Sequence, residues 1–466
     1  MTMIRKFNIS GNIQHLQIAG AANQLVRVGA EGFFKQLLEL PPARYLDLLT
    51  IAAAVYSVDR ISKRSWEGGN EHGYRRFHLT LELREPRFWR TQKIVRPLSE
   101  TLAFLSNDDW QFDFVPRPEA ISGGGNQEFL ALPKDVNPEL AALYSGGLDS
   151  AAGLANRAIQ GENNFALLTV GHQTSMHKLV TQQIQSLVGI LKHERGINLK
   201  ISHSTLTISL RGDAARRMRL QEKTQRVRAF LFCVAAAIVA KAYRLDRVDV
   251  FENGVGAINL PLMTGMLGTG LATRGAHPTF LNMMSEFCSK IGESPVQFVL
   301  PFMNKTKAEM LSPLTSTPKL HEWLQKSRSC IHTAHRIKGI HHCGVCPGCI
   351  ERRQAFLASG ARENLDEYEL NILDHPKINE RYADYFRLFQ QDALDWVGRS
   401  PRPRVRLTKH LRITNTPQKL HLPARELQIR SSFEAIRVFG SPIHIATRMK
   451  NGAATAASPH KSGESP

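Results

Sequence analysis

The sequence contains few cysteines, and it lacks a signal-peptide core and a long apolar segment. Only 6 of its 466 residues are cysteine, which is too sparse for a disulfide-stapled extracellular scaffold. The first residues, MTMIRKFNIS, contain no apolar signal core. The apolar run Ala229–Ala240 is too short to span a bilayer and is flanked by arginines. We therefore expect a cytoplasmic protein that makes no membrane contact.

Acidic residues are scarce relative to basic ones. The chain has 41 Asp and Glu against 60 Lys and Arg, a formal net charge of +19. From Arg399 to Pro466 there are 13 Lys and Arg against 3 Asp and Glu. Such a basic C-terminal region attracts polyanions, either nucleic acid or the acidic face of a protein partner. The alternative is a solvated basic surface that maintains solubility.

Length and composition indicate a globular chain of two or three domains. With 466 residues, 42% hydrophobic and 22% charged, the chain is too long for one ordinary core and too apolar to be disordered. We predict an N-terminal α+β domain at 1–138, a central domain at 139–360, a helical and then basic extension at 361–450, and a disordered tail at 451–466. The flexible stretch Ile121–Gln127, ISGGGNQ, marks the first boundary. The N-terminal domain has no catalytic or metal-ligand spacing, which favours packing or partner binding.

Hydrophobic periodicity predicts an α/β fold for the central domain. Short strand candidates alternate with helical segments there, which argues for a mostly parallel sheet covered on both faces. These strand candidates are Ala141–Tyr144, Asn164–Val170, Leu199–Ile208, Arg247–Glu252 and Val296–Phe302. In the N-terminal domain the candidates are strands at Met3–Ile9, Ile13–Ile18, Arg75–Leu83 and Trp110–Val115 and helices at Ala43–Lys63 and Leu98–Leu105. Basic and apolar residues alternate within Arg399–Arg430, which is compatible with strands or with a surface for an acidic partner.

A glycine pair ends the first central strand, within the segment AALYSGGLDS at 141–150. Successive glycines let backbone N–H groups point into one concavity that holds an anion, and the following helix adds its positive N-terminus. Hydroxyl groups and one carboxylate suit a phosphate with its Mg²⁺. We therefore predict a pyrophosphate site made of Ser145, Gly146, Gly147, Leu148, Asp149 and Ser150. The alternative is a tight turn in which Asp149 or Ser150 caps the helix.

Four of the six cysteines have the spacing C-x12-C-x2-C-x2-C. They are Cys330, Cys343, Cys346 and Cys349. Two-residue gaps place thiolates around one tetrahedral ion, so we predict a closed, structural Zn²⁺ site. The alternative ligands are His332, His335, His341 and His342. Iron–sulfur ligation and four unrelated buried thiols are the other interpretations.

Other candidates lie near the predicted carboxyl ends of the strands. Arg226 and Arg228 precede an alanine-rich helix, where Arg228 would stabilise charge on a leaving pyrophosphate, or both are surface charges. Glu252 and Asn253 follow the fourth central strand and would contact a nucleotide or a purine-like substrate. Their alternative role is a strand-ending turn.

The spelling S-G-G-L-D-S resembles the PP-loop of the N-type ATP pyrophosphatases, a family with a Rossmann-like fold. Together with the four cysteines about 185 residues downstream, it resembles 7-cyano-7-deazaguanine synthase of the queuosine pathway. Gly171-His172-Gln173 with His177 resembles that family's turn after the second strand, although the family's tyrosine is missing. NKTKAEM at 304–310 and CGVCPGCIERRQAF at 343–356 resemble two further segments of the family. The resemblance covers residues 143–359.

The resemblance implies an ATP-dependent enzyme that activates a carboxylate. ATP and Mg²⁺ would bind at Ser145–Ser150, with Glu252, Asn253 and Lys307 as further nucleotide contacts, and Zn²⁺ would bind the four cysteines. Residues that would hold a deazapurine carboxylate are His172, His177, Arg226 and His277. The alternative for Lys307 is a surface charge at a helix start.

The extensions on either side of the resembling region leave the amine acceptor open. Long chains of this design resemble synthase paralogues in bacterial antiphage gene clusters such as the Qat system. That resemblance implies transfer of the activated acyl group to an amine on a protein partner encoded in the same cluster. One alternative is a synthase that uses ammonia, and another is a catalytically silent nucleotide-binding subunit of a defence complex.

Overall fold

The computed structural model describes residues 3–20, 24–37, 41–64, 73–118, 137–171, 174–211, 221–262, 273–332, 339–373, 380–398 and 402–440. Ten strands in these ranges form one sheet in the order β10-β9-β6-β7-β8-β3-β2-β1-β4-β5. They are β1 (Ile4–Gly11), β2 (His15–Ala19), β3 (Gln24–Val28), β4 (Arg76–Leu83), β5 (Asp109–Pro116), β6 (Leu140–Leu143), β7 (Asn164–Gly171), β8 (Lys200–Arg211), β9 (Arg247–Val250) and β10 (Gln297–Val299). Pairing is parallel except at β1–β2, β2–β3 and β3–β8. The predicted α/β class with a mostly parallel sheet is confirmed.

The helices cover both faces of the sheet. The first eight are α1 (Ala30–Phe34), α2 (Ala43–Ile61), α3 (Pro86–Trp89), α4 (Gln92–Ser106), α5 (Leu148–Ile159), α6 (Thr174–Arg195), α7 (Arg228–Ala242) and α8 (Gly254–Ile258). The others are α9 (Pro278–Gly292), α10 (Lys307–Thr315), α11 (Pro318–Gln325), α12 (Pro347–Ala358), α13 (Glu380–Val397), α14 (Arg402–Ile413) and α15 (His421–Phe439). None of the helices in the described ranges is both long and apolar enough to cross a membrane.

The central strands run in the order β10-β9-β6-β7-β8, so the chain changes direction across the sheet at β6. β7 and β8 add to one side of β6, whereas β9 and β10 add to the other. The crevice between the carboxyl ends of β6 and β9 is therefore a topological switch point, where ligands bind in open α/β sheets. The predicted phosphate loop follows β6, and Glu252 and Asn253 follow β9.

The N-terminal strands continue the same sheet. β3 pairs with the far end of β8, where Val26 lies opposite Leu210. On one face, α2 packs against α7, and a single hydrophobic core includes residues from Phe7 to Phe298. β4 alternates buried and half-buried residues, as its sequence predicts. The stretch Ile121–Gln127 lies outside the described residues, so the predicted domain boundaries stay predictions.

The basic C-terminal region forms helices in its described part. Arg402–Ile413 and His421–Phe439 are α14 and α15, so the interpretation of Arg399–Arg430 as strands is wrong. The physical reason is that α15 buries residues at helical spacing, including Leu427, Ala435 and Phe439. Ala435 and Phe439 share a core cluster with the four cysteines and with Phe386 and Ala393 of α13. The predicted disordered tail at 451–466 lies outside the described residues.

Candidate functional site

The loop Ser145–Ser150 connects β6 to α5 and is held by hydroxyl groups. Gly146 has φ +74°, a conformation that favours glycine, and a Cβ there would lie 2.9 Å from Val180. The Oγ atoms of Ser145 and Ser150 are 2.7 Å apart. Ser150 Oγ accepts from the Ser145 amide at 3.2 Å, and Ser145 Oγ accepts from the Gly147 amide at 3.3 Å. The loop thus gathers amides and hydroxyls at a helix N-terminus, which is the arrangement that binds phosphate.

Asp149 lies in the first turn of α5 and contacts residues from two other strand ends. Its Oδ1 accepts from Asn253 Nδ2 at 2.8 Å, and its Oδ2 forms an ion pair with Lys307 Nζ at 3.0 Å. Lys307 also bonds Glu351 at 3.1 Å, and Asn253 donates to Glu252 at 3.0 Å. The structure therefore brings together four of the predicted nucleotide-binding residues, and Glu351 joins them from α12.

Electrostatics in this cluster are dominated by burial and by three carboxylates. Burial and the charge of Asp149 raise the pKa of Glu252 well above its ordinary value, although Lys307 opposes the shift. Burial alone would lower the pKa of Lys307, but Asp149, Glu351 and Glu252 outweigh it and raise that pKa. Lys307 is therefore a permanent cation beside the loop. Glu252 is suited to hold a proton until a cation binds nearby.

Local sequence explains why Asn253 and Lys307 meet Asp149. Thr306 caps α10 in a capping box with Glu309, which fixes Lys307 as the first helical residue. Asn253 caps α8 by accepting from the Gly256 amide at 3.0 Å. Gly254 is needed because a Cβ there would lie 1.9 Å from the Met303 carbonyl oxygen. This close approach joins the ends of β9 and β10.

The four cysteines converge as the spacing predicts. Their sulfur atoms lie within 4.8 Å of one another, all four residues are buried, and the Cys330–Cys346 and Cys343–Cys349 separations are both 3.9 Å. Zinc–sulfur bonds of about 2.3 Å in a tetrahedron place sulfurs about 3.8 Å apart, whereas a disulfide would need about 2 Å. The donor set therefore fits Zn²⁺.

The neighbouring histidines are placed differently from the cysteines. His341 pairs with Glu367, and the ring of His342 packs against Tyr368 with centroids 5.0 Å apart. His332 lies outside the four-sulfur group, and His335 lies outside the described residues. The described residues thus supply a complete tetrahedral shell from sulfur alone.

The segment that leads to Cys330 also supports the loop Ser145–Ser150, and sequence reasoning missed this support. Ser329 Oγ accepts from the Leu148 amide at 3.3 Å, and the Arg328 amide donates to the Gly146 carbonyl at 3.0 Å. Arg352 is buried and holds this segment by donating to Ser327 Oγ at 2.7 Å. In the sequence, the signal for this support was the arginine pair in CGVCPGCIERRQAF. The segment that carries the cysteines therefore also positions the loop Ser145–Ser150.

Arg226 precedes α7 and Arg228 is its first residue, and both lie near the N-terminal part of the chain. Arg226 is buried and donates to the Ser106 carbonyl at 3.0 Å. Burial and the nearby Arg64, partly offset by Asp108, lower the pKa of Arg226 to about 10. Arg228 is exposed and its guanidinium lies 5.5 Å from the Phe232 ring centroid. The contacts of Arg226 are thus structural, and the predicted roles of both arginines stay predictions.

The predicted substrate-binding histidines lie in different places. His177 is buried on α6 beside the end of β7, with Nδ1 3.5 Å from Thr207 Oγ1. His277 is fully buried and caps α9, since Nδ1 accepts from the Thr279 amide at 3.2 Å and Nε2 lies 3.1 Å from Thr416 Oγ1. Both ring nitrogens of His277 therefore have partners within the fold. His172 lies outside the described residues.

A cavity adjoins the Asp149 cluster on the side of Lys307. Its empty space is about 940 Å³, counting the part open to solvent. We call it the side pocket. Residues on or next to α8, α10, α12, α13 and α15 line this pocket. They include Asn253, Leu260, Lys307, Glu351, Tyr385, Phe389, Asp392, Gln428 and Glu434. Sequence reasoning missed this site, because α13 and α15 lie far along the chain from the loop.

Comparison with known families agrees with the resemblance seen in the sequence. Residues 275–360 match the family model described as queuosine biosynthesis protein QueC. The matched segment contains Lys307 and the four cysteines but not the loop Ser145–Ser150, and it is under a fifth of the chain. No curated protein matches the chain in a sequence comparison. The match supports a QueC-like family member and an ATP-using activity related to deazaguanine chemistry.

Proposed function

We propose that this QueC-like chain activates a 7-carboxy-7-deazaguanine-type carboxylate with ATP and then transfers the acyl group to an amine. The observation that carries the proposal is the ion pair between Lys307 and Asp149. Lys307 lies within the QueC-matching segment, whereas Asp149 belongs to the loop at the switch point between β6 and β9. One contact therefore joins the family-matching segment to a phosphate cradle.

In the first step, the substrate carboxylate attacks the α-phosphate of ATP and pyrophosphate leaves. The amides and hydroxyls of Ser145–Ser150, with the N-terminus of α5, hold the pyrophosphate oxygens. Lys307 places a permanent positive charge next to them. Asp149 and Glu252 offer oxygen ligands of the kind Mg²⁺ prefers, and the ion supplies charge neutralisation when bound. In the second step, an amine displaces AMP from the acyl-adenylate.

The helices α13 and α15, which follow the QueC-matching segment, favour an amine larger than ammonia. We therefore propose a protein acceptor. α13 and α15 wall the side pocket next to Lys307, and a small diffusible amine requires no such wall. A role in antiphage defence, implied by the resemblance to Qat-cluster chains, is a further part of this proposal. The ammonia-using synthase remains the second candidate, because the cysteine element and Lys307 lie in the QueC-matching segment.

The test follows AMP, nitrile and protein mass together. The full chain is incubated with ATP, Mg²⁺ and 7-carboxy-7-deazaguanine, with and without ammonium and candidate partner proteins. We expect AMP in the presence of the carboxylate and a mass increase on a partner protein. Nitrile formed with ammonium alone would show that the acceptor is ammonia and not a protein amine. A lack of AMP under every condition would overturn both enzymatic functions.

A further inference from the structure

The side pocket starts at the reacting end of the site. Lys307 and Asn253 line it, and the same two side chains contact Asp149 in the phosphate loop. Glu351 lies at this end as well, because it bonds Lys307. A group held in the pocket would therefore lie next to the side chains that contact the loop Ser145–Ser150.

Much of the pocket wall comes from helices beyond the region that resembles the family. Tyr385, Phe389 and Asp392 are on α13, and Gln428 and Glu434 are on α15. Both helices follow the matched segment 275–360. This wall is thus an addition of this chain to the site, and it adjoins the reacting end.

The wall combines apolar surface with carboxylates. Leu260, Pro261 and Ala393 supply apolar surface. Three carboxylates line the pocket, those of Glu351, Asp392 and Glu434, and of the described lining residues Lys307 is the one cation.

Asp392 already pairs with Arg406 and Glu351 pairs with Lys307, whereas Glu434 keeps capacity for another donor. Glu434 accepts from Thr306 Oγ1 at 2.7 Å and from Gln354 Nε2 at 3.4 Å, which uses two of about four acceptor positions. Burial raises the pKa of Glu434, and it raises the pKa of Asp392 to about 6 although Arg406 opposes this shift. A bound cation would relieve the burial of this negative charge.

We propose that the side pocket is the acceptor subsite and that it takes a primary ammonium group carried on an aliphatic chain. The inference rests on the proposed function for its chemistry, because that function requires an amine. The apolar wall suits the methylene groups, and the carboxylates suit the ammonium head. A lysine side chain and a free diamine carry such a group, whereas a polypeptide N-terminus offers an ammonium without the methylene chain.

The transfer step balances as follows. The ammonium loses one proton to a carboxylate of the pocket wall, and Glu434 has acceptor positions left for it. The free amine attacks the acyl carbon and forms a C–N bond. The C–O bond to the phosphate breaks, and its electron pair leaves with AMP. The second nitrogen proton passes to solvent, so each turnover yields one amide, one AMP and two protons.

A binding experiment tests the subsite without turnover. The full chain is titrated with pentylammonium chloride, with pentan-1-ol and with sodium pentanoate, and binding is followed by saturation-transfer NMR of the ligand. We expect pentylammonium to bind at least about tenfold more tightly than the alcohol or the carboxylate, which corresponds to about 1.4 kcal/mol. Competition by cadaverine, by a lysine peptide with a blocked N-terminus, and by a lysine-free peptide with a free N-terminus then distinguishes the sources.

Two variants assign the binding to the pocket. Glu434→Gln removes one negative charge but keeps an oxygen acceptor for Thr306, and Gln428→Trp narrows the pocket while leaving every carboxylate in place. Both should weaken pentylammonium binding at least about fivefold, or roughly 1 kcal/mol. Glu286→Gln, on the surface of α9, is the matched control and should leave binding unchanged. Circular dichroism confirms that each variant is folded.

Equal binding of pentylammonium and pentan-1-ol would overturn the proposal, as would unchanged binding in both pocket variants. The proposed function is judged separately on the wild-type chain, by carboxylate-dependent exchange of pyrophosphate into ATP without any amine. Exchange without selective ammonium binding would refute the subsite alone. Ammonium binding without exchange would refute the proposed activation step and leave the subsite standing.

Discussion

At the scale of residues, the site depends on one largely enclosed lysine, Lys307, that partly neutralises a carboxylate cluster. Lys307 contacts Asp149 at 3.0 Å and Glu351 at 3.1 Å, while Glu252 lies close enough to raise the pKa of Lys307. Removing one charge from such a cluster leaves the others unbalanced in a poorly solvated place. Loss of the Lys307 charge should therefore destabilise the fold, whereas neutral replacements of a carboxylate should affect mainly the chemistry.

Asp149→Asn should abolish most of the AMP formation. The amide keeps the size of the side chain and an acceptor for Asn253, but it loses the charge that pairs with Lys307 and would hold Mg²⁺. We expect a fall in carboxylate-dependent AMP release of about 10²- to 10³-fold. Asp113→Asn, at an exposed strand position, is the control. Unchanged turnover in Asp149→Asn would show that the magnesium site lies elsewhere.

At the scale of elements, the cysteine cluster supports the loop Ser145–Ser150. The segment 327–330 bonds Gly146 and Leu148 at one end and enters the cysteine cluster at the other. Arg352 of α12 holds the same segment. A metal ion held by the cysteines would thus be coupled to the loop through a few backbone and hydroxyl contacts.

Removing the metal should therefore lower both stability and nucleotide binding. A structural zinc contributes on the order of 10 kcal/mol of binding free energy, which is lost from folding when the ion is chelated. We expect one zinc per chain by elemental analysis and a lower melting temperature after chelation or in Cys346→Ser. Cys233→Ser, in a buried helix outside the cluster, should keep its zinc. An unchanged melting temperature in a zinc-free sample would contradict the assignment.

A second element-scale device is the buried histidine pair between α9 and α14. The rings of His277 and His410 are 5.9 Å apart, and His410 Nε2 lies 3.1 Å from the Ile258 carbonyl oxygen. Burial, with His410 and Arg274 nearby, lowers the pKa of His277 to about 3. Burial and Arg274 lower the pKa of His410 to about 4, although the Ile258 carbonyl opposes this shift.

Stability should consequently fall as the pH drops below about 6.5. The unfolded chain protonates both histidines near that pH, whereas the folded chain keeps them neutral until about pH 4 and pH 3. The loss is about 2 kcal/mol per histidine at pH 5. His277→Asn keeps a capping side chain and should flatten the dependence of melting temperature on pH. If the melting temperature fell with pH as steeply in His277→Asn as in the exposed-site control His193→Asn, this account would be contradicted.

At the scale of the whole molecule, the N-terminal part and the central part share one sheet and one core. β3 joins β8 by backbone pairing, and α2 packs on α7 across that junction. A buried network in which Arg64 and Arg75 pair with Asp59 and Asp108 lies close to Arg226 at the same junction. The two parts should therefore unfold together.

Calorimetry should show one unfolding transition for the region before α13. Val26 is fully buried on β3, so Val26→Ala should cost roughly 2 kcal/mol and move the whole transition to lower temperature. Val405→Ala, at a position 67% exposed on α14, is the control and should have little effect. Two transitions, of which Val26→Ala moved only one, would instead support separate domains divided near residue 138.

The sequence by itself determined the local features of this protein. Strand and helix periods predicted most elements of the central sheet to within a few residues, because apolar patterning is a local property. The loop Ser145–Ser150 and the four cysteines could be named in advance for the same reason, since each lies within a short or regularly spaced segment. The QueC-matching segment confirms the family resemblance around the cysteines.

Only the tertiary structure decided which distant residues meet. The pairing of Asp149 with Lys307, the support of the loop by Ser329, and the side pocket walled by α13 and α15 join positions more than 150 residues apart. The strand β3 was missed and the basic region 402–440 proved largely helical, because strand-pairing and packing partners settle such segments. Contacts across a fold depend on strand order, and no periodicity along the chain encodes that order.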